Sequence, residues 1–213
     1  MRAAVAETLG TFWVVLVAAG LHLAAVRAGA AGLSPGIAAG IGAGLAYMSA
    51  ALAFGRITAG HFNPALTIGL RAAGGFGGSL SFTLLGQILG ATLALAVVGG
   101  GAPADFPPAS GGFGATLRLA LMLGLLTLVH VATLQTRSEA APFATGAALG
   151  LLVALQPEGG HALVSAAHAT ASWLTGHGTP FPVFWLWVAT LLGAMAAGSV
   201  WRSLRETAPA GDA

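Results

Sequence analysis

The chain has 213 residues, of which 56% are hydrophobic and only 7% charged, with a net charge of +2. A soluble globular domain carries about 25% charged residues, so these figures argue against a soluble enzyme, a disordered chain or a coiled coil. What remains is a polytopic membrane protein, in keeping with a mean hydropathy of +0.87. The eight basic residues are all Arg and no two are adjacent, which speaks against nucleic acid as a partner. Cysteine is absent, which excludes a disulfide framework, a thiolate nucleophile and a Cys-ligated zinc site.

A bilayer helix needs about 20 apolar residues, and the stretches between charges predict spans over 8–27, 36–55, 81–101, 116–135, 141–156 and 182–201. The first follows Arg2 and resembles a signal peptide, but its apolar run is longer than a signal core and Glu7 stands at its start. In the second, Gly36, Gly40 and Gly44 have the small-xxx-small spacing that lets helices approach closely. An uncharged stretch too short to span follows, 61–70, entered through Ala59-Gly60-His61. After the third span the Pro- and Gly-rich stretch 99–114, with Pro107-Pro108 and Gly111-Gly112, is a natural linker. The fifth span is short, and a second half-length stretch, 163–174, follows it through Gly159-Gly160-His161.

Three spans with a half-length segment after the second therefore occur twice: a first repeat 1–101, a linker 102–114 and a second repeat 115–205. Three is odd, so the second repeat enters the membrane from the opposite side, which makes an inverted repeat. The expected fold is an all-α membrane domain of six transmembrane helices and two re-entrant half-helices. Both termini then share one side. If that side is cytoplasmic, Arg2, Arg56, Arg71, Arg137, Arg202 and Arg205 lie inside and Arg27 and Arg118 outside, as the positive-inside rule requires. Trp13, Trp173, Trp185, Trp187 and Trp201 fall near span ends, where interface anchors belong.

The sequence with specific chemistry is Gly60-His61-Phe62-Asn63-Pro64-Ala65-Leu66-Thr67. Asn is a strong helix N-cap and Pro is favoured in the first turn, so a short helix should begin at Asn63, at membrane depth. Non-helical backbone there must be buried in protein or line a water-filled cavity. The positive end of the helix dipole and the amide donors would suit a neutral, oxygen-bearing molecule and disfavour a cation. By itself the pair Asn63-Pro64 fits an ordinary capped, Pro-broken helix equally well.

At these residues the chain resembles the aquaporin family, the major intrinsic proteins that include glycerol facilitators. Ala6-Glu7-Thr8-Leu9-Gly10-Thr11-Phe12-Trp13 is similar to the opening of that family's first span. His61 and the triplet Asn63, Pro64 and Ala65 match its first signature loop, Gly86-Gln87-Ile88-Leu89-Gly90-Ala91 its third span, and Val129-His130-Val131-Ala132-Thr133 the end of its fourth. The resemblance implies a passive channel in the plasma membrane for water or a small neutral solute such as glycerol or urea. It further implies a homotetramer with a lumen in each protomer, no cofactor and no enzymatic activity.

The second half departs from the pattern, which repeats Asn-Pro-Ala and follows it with Arg. Matching Gly60-His61 to Gly160-His161 places Leu163, Val164 and Ser165 at the triplet and Ala166 at the Arg. An alternative register places Ala167-His168-Ala169-Thr170 there. In the first, Ser165 is a candidate cap. The family's filter combines an aromatic residue of the second span, a residue of the fifth and that Arg; counting back from Asn63 puts Ala43 at the aromatic position. The resemblance also implies a supporting Glu in each half. Glu7 is the first, and Arg118 stands where the second belongs.

Two other readings follow from these departures. The chain could keep the fold as a non-conducting structural or interaction protein, with Leu163 and Phe62 closing the lumen. Alternatively His161, His168 and His177 could form a metal site; the first two are seven apart and can share a helix face. No Cys or Asp lies near them, so no metal is expected. His22 and His130 fall within spans and read as core residues.

Overall fold

A computed structural model, describing residues 1–99, 113–156 and 165–206, contains eight α-helices and no strand among those residues. They are α1 (Arg2–Ala28), α2 (Pro35–Thr58), α3 (Pro64–Ala72), α4 (Leu80–Val98), α5 (Phe113–Thr136), α6 (Ala141–Ala154), α7 (Ala166–Leu174) and α8 (Pro180–Glu206). Five are long and apolar enough to cross a bilayer: α1, α2, α4, α5 and α8. The 14 residues of α6 reach only about 21 Å at 1.5 Å per residue, as the short fifth span predicts. Leu163, Val164 and His161, and most of the linker, lie outside the described residues.

Local chemistry sets the helix ends. Ser34 caps α2 by accepting from the Ile37 N–H, and Pro35 occupies its first turn. The last turn of α2 closes on Ala59 at φ 62°, and α4 closes on Gly99 at φ 84°, the left-handed conformation of many helix C-termini. Leu45, Leu52, Phe82, Leu85, Leu121, Leu125 and Leu192 are exposed. In water such a surface would aggregate; against lipid tails it is the expected exterior.

The packing repeats itself. α1 lies on α2 and α4, and α5 lies correspondingly on α6 and α8. The half-helix α3 packs on α8 and α5, whereas α7 packs on α4 and α8 and touches α3. Matched glycines make the matched crossings possible. A Cβ on Gly90 would sit 2.2 Å from the Thr8 carbonyl oxygen of α1. A Cβ on Gly193 would sit 2.0 Å from the Ala120 carbonyl oxygen of α5. Where α2 meets α6, Gly40 and Gly44 face Gly150 and Gly146, with carbonyl oxygens 2.5 and 2.8 Å from their ideal Cβ positions. Without lipid-phase hydrophobic drive, such close backbone contact holds membrane helices together. One end of this bundle carries the start of α1, the ends of α2, α3, α5 and α8, and Arg2, Arg56, Arg71, Arg137, Arg202 and Arg205.

Candidate functional site

The turn between α2 and α3 runs through Ala59, Gly60, His61, Phe62 and Asn63. Ala59, Gly60 and Phe62 have φ of 62°, 69° and 49°. Such angles suit Gly and cost a side-chain-bearing residue about 1–3 kcal/mol, so neighbouring groups must hold them. They do: the Phe62 N–H donates to Glu7 Oε2 at 2.9 Å, and the Gly60 N–H to Thr58 Oγ1 at 3.1 Å. The Phe62 ring lies against Gly10, whose missing side chain leaves the space it occupies. His61, Phe62 and Asn63 are buried.

Asn63 caps α3 as expected. Its Oδ1 accepts from the Ala65 N–H at 3.0 Å, and its carbonyl accepts from Leu66 and Thr67. Pro64, in the first turn, needs no donor of its own. The cap is braced from other helices. Gln87 Nε2 of α4 donates to Glu7 Oε2 at 2.6 Å and to Thr67 Oγ1 at 2.9 Å. Thr127 of α5 donates to the Ala65 carbonyl at 3.3 Å. The Glu7 Oε1 lies 3.6 Å from His61 Nδ1. Glu7 therefore accepts from donors on two other segments, the loop and α4.

The second half-helix begins at Ser165, which has φ −146° and ψ 115° against −153° and 131° for Asn63. Its Oγ accepts from the His168 N–H at 3.4 Å. Ala65 and Ala166, each just inside its cap, belong to one buried cluster, so the two helix starts converge in the centre of the bundle.

Aligned on their caps, Ser165 and not Leu163 is the counterpart of Asn63, and the triplet is Ser165-Ala166-Ala167. The expected register is thus two residues early, and the alternative two residues late. The Gly-His pair misleads because the helix start, not the glycine before it, fixes the turn. His168 rather than Ala166 then follows the triplet, and it is 95% buried. Ala166 is fully buried and packed, not at the filter position. Ala43 is buried in the same central cluster. Arg118 is exposed near the start of α5, so it takes no part in a buried support. The α7 helix is instead set among Val15, Ala19, Ala91 and Ala94 through Ala167 and Ala171, and tied to α8 by Trp187 Nε1 donating to Thr170 Oγ1 at 3.0 Å. His177 is exposed past the end of α7, whereas His168 is buried within it. No group of three metal-ligating side chains occurs among the described residues.

A cavity of about 490 Å³ opens at the Arg-bearing end between α2, α5 and α6. Arg56 and Glu139 stand among its lining residues, as do Tyr47, Gly60 and His130. Tyr47 donates to the Gly60 carbonyl at 2.5 Å, and its hydroxyl lies 3.3 Å from His130 Nδ1. His130 Nδ1 is also 3.2 Å from Thr145 Oγ1. Sequence reasoning singles out neither Tyr47 nor Thr127, and Thr67 only as the end of the signature stretch. Gln87 lies inside a quoted motif, and Tyr47 is the sole tyrosine of the chain, a signal that could have drawn attention to it.

Comparison with known proteins agrees with this fold. The family described as Major intrinsic protein matches residues 1–201. Aquaporin Z of Bradyrhizobium diazoefficiens is 31% identical over 228 aligned positions, covering 97% of this chain and 94% of its own. Aquaporin Z of Rhodopseudomonas palustris is 31% identical over 221, covering 93% and 91%. Among solved structures, the X-ray structure of the aquaglyceroporin from Plasmodium falciparum superposes with a TM-score of 0.74 at 20% identity, covering 96% of each chain. The last likeness is one of fold.

Proposed function

Since the chain belongs to the major intrinsic protein family, a family of membrane channels and not of enzymes, we propose that it passes small uncharged solutes such as glycerol or urea, as well as water, down their gradients. The observation that carries this reading is the convergence of two buried half-helix starts, capped by Asn63 and Ser165, in the middle of a membrane bundle. Positive dipole ends meeting there disfavour a cation and leave a neutral molecule with oxygen acceptors as the suitable passenger. His61, Pro64 and Ala65 keep the first turn in place. Ser165, Ala166 and Ala167 form the opposite wall; Leu163 and Val164 precede it in sequence.

On this reading the second-half filter position falls to His168 and the second-span position to Ala43. An imidazole is smaller than a guanidinium and carries no permanent charge. A methyl group at 43 gives further room. Both changes favour a solute larger than water. The repeats are taken as 1–101 and 115–205 about the linker 102–114, the Arg-bearing end as cytoplasmic in the plasma membrane, and the assembly as a homotetramer.

The test is light-scattering of purified protein in proteoliposomes under inward glycerol, urea and sucrose gradients. Shrinkage and reswelling faster than in empty vesicles are expected for water and at least one of the first two solutes. Rates equal to empty vesicles for all of them would favour the second reading, a non-conducting member of the fold. That reading draws on the dense packing of Tyr47, Phe62 and Ala166 at the centre.

A further inference from the structure

The cavity at the Arg-bearing end is lined in part by Tyr47, Gly60 and His130, and Gly60 stands three residues before Asn63 in the loop. Tyr47 is on α2, one turn beyond Ala43, and its side chain is 99% buried although it borders the cavity. A buried tyrosine ordinarily needs only one partner for its hydroxyl. This one is held at three points: the hydroxyl donates to the Gly60 carbonyl, it lies beside His130 Nδ1, and its ring meets Phe62 edge-on with centroids 5.9 Å apart. A tyrosine has one proton to give. With that proton on Gly60, the contact with His130 needs Nδ1–H as the donor, so His130 holds the hydroxyl from behind.

Gly60 lines the cavity, and its carbonyl accepts from Tyr47. A hydroxylic solute or water moving from the cavity toward Asn63 would meet that acceptor already taken. Resting on the channel reading above, we infer that Tyr47 is the latch of the pathway: its ring and hydroxyl, clasped by Gly60 and His130, separate the vestibule from the Asn63 turn. It sets how fast, and how large, a neutral solute can pass.

The chain contains no cysteine, so Tyr47→Cys makes a protein with one thiol, placed at the latch. Wild-type protein and Tyr47→Cys and Tyr47→Phe variants are compared for water and glycerol permeability in proteoliposomes at equal protein content. Flux is measured before and after a methanethiosulfonate reagent. Tyr47→Phe, which keeps the ring and frees Gly60, is expected to raise permeability about fivefold, the fold-change that corresponds to one net hydrogen bond of about 1 kcal/mol. Tyr47→Cys should exceed it, and the reagent should then return flux to or below the wild-type rate while leaving wild type untouched. A wild type that is silent beside a conducting Tyr47→Cys would also support the latch. Conduction by all three at one rate above empty vesicles, insensitive to the reagent, would overturn it and leave the channel reading standing. All three at the empty-vesicle rate would overturn both. Because Tyr47→Phe changes a single atom, it guards against a variant that fails to fold.

Discussion

At Asn63 the start of α3 is tied down by polar groups from three other helices, whereas α7, beyond its Ser165 cap, is set largely among alanines. Glu7, Gln87 and Thr127 reach the first turn from α1, α4 and α5. The second has its own serine cap and, further along the helix, one tryptophan–threonine bond. The backbones at the two caps are nearly the same, with φ within 7° from −153° and −146°. The same cap geometry thus occurs in two different settings. A loop with three left-handed residues in a row of four needs hydrogen bonds to over-determine it. The α7 helix rests on close packing at Ala167 and Ala171 together with the Trp187–Thr170 bond.

The largest effect expected from breaking this contrast is at Glu7. Glu7→Ala removes the acceptor for Phe62 N–H and one of two for Gln87, leaving a buried donor on a strained residue. It should cost about 2–4 kcal/mol, read as a lowered Tm of the detergent-solubilised protein, and Glu7→Gln should recover much of it. An equal loss in both variants would show that the charge, not the acceptor, matters. Next come the matched crossings. Gly90→Val and Gly193→Val each force a side chain onto a carbonyl oxygen of the facing helix, and overpacking costs about 1–3 kcal/mol or more where backbone must move. The two variants should lose folded yield to a similar degree, since the two crossings are equivalent. A loss at one alone would break the symmetry of the repeats.

Removal of the caps gives a smaller effect. Asn63→Ala and Ser165→Ala should each lower stability by about 1 kcal/mol, with Asn63→Ala the less harmful in a Glu7-supported loop. Smallest in stability but informative for passage is His168→Arg, which should slow glycerol relative to water in the vesicle assay if His168 borders the path. An unchanged glycerol-to-water ratio would remove His168 from it.

The spans were readable because lipid demands runs of apolar residues bounded by charge, and α1, α2, α4, α5, α6 and α8 each cover most of an expected span. Asn63 was readable because Asn-Pro is a local instruction that a helix obeys wherever it starts. Ser165 was harder. Without proline, the helix start could slide by two residues, and the preceding Gly160-His161 offered a misleading anchor. The bracing of Asn63 was partly readable: Glu7 and Gln87 sit in recognisable segments, but nothing in sequence says that a side chain at position 127 meets a carbonyl at position 65. Tyr47 and His130 are 83 apart in the chain, and their meeting is a product of the helix packing.

The central claim is that a neutral solute passes between the two half-helix starts, beside Asn63. Stopped-flow permeability of wild type and Asn63→Asp, reconstituted side by side at equal protein content, tests it most directly. A carboxylate at the meeting point of two positive helix ends should cut glycerol and water flux several-fold or more, with the elution profile of the folded protein unchanged. Equal glycerol and water flux in the two proteins, both above empty vesicles, would contradict it and place the path elsewhere.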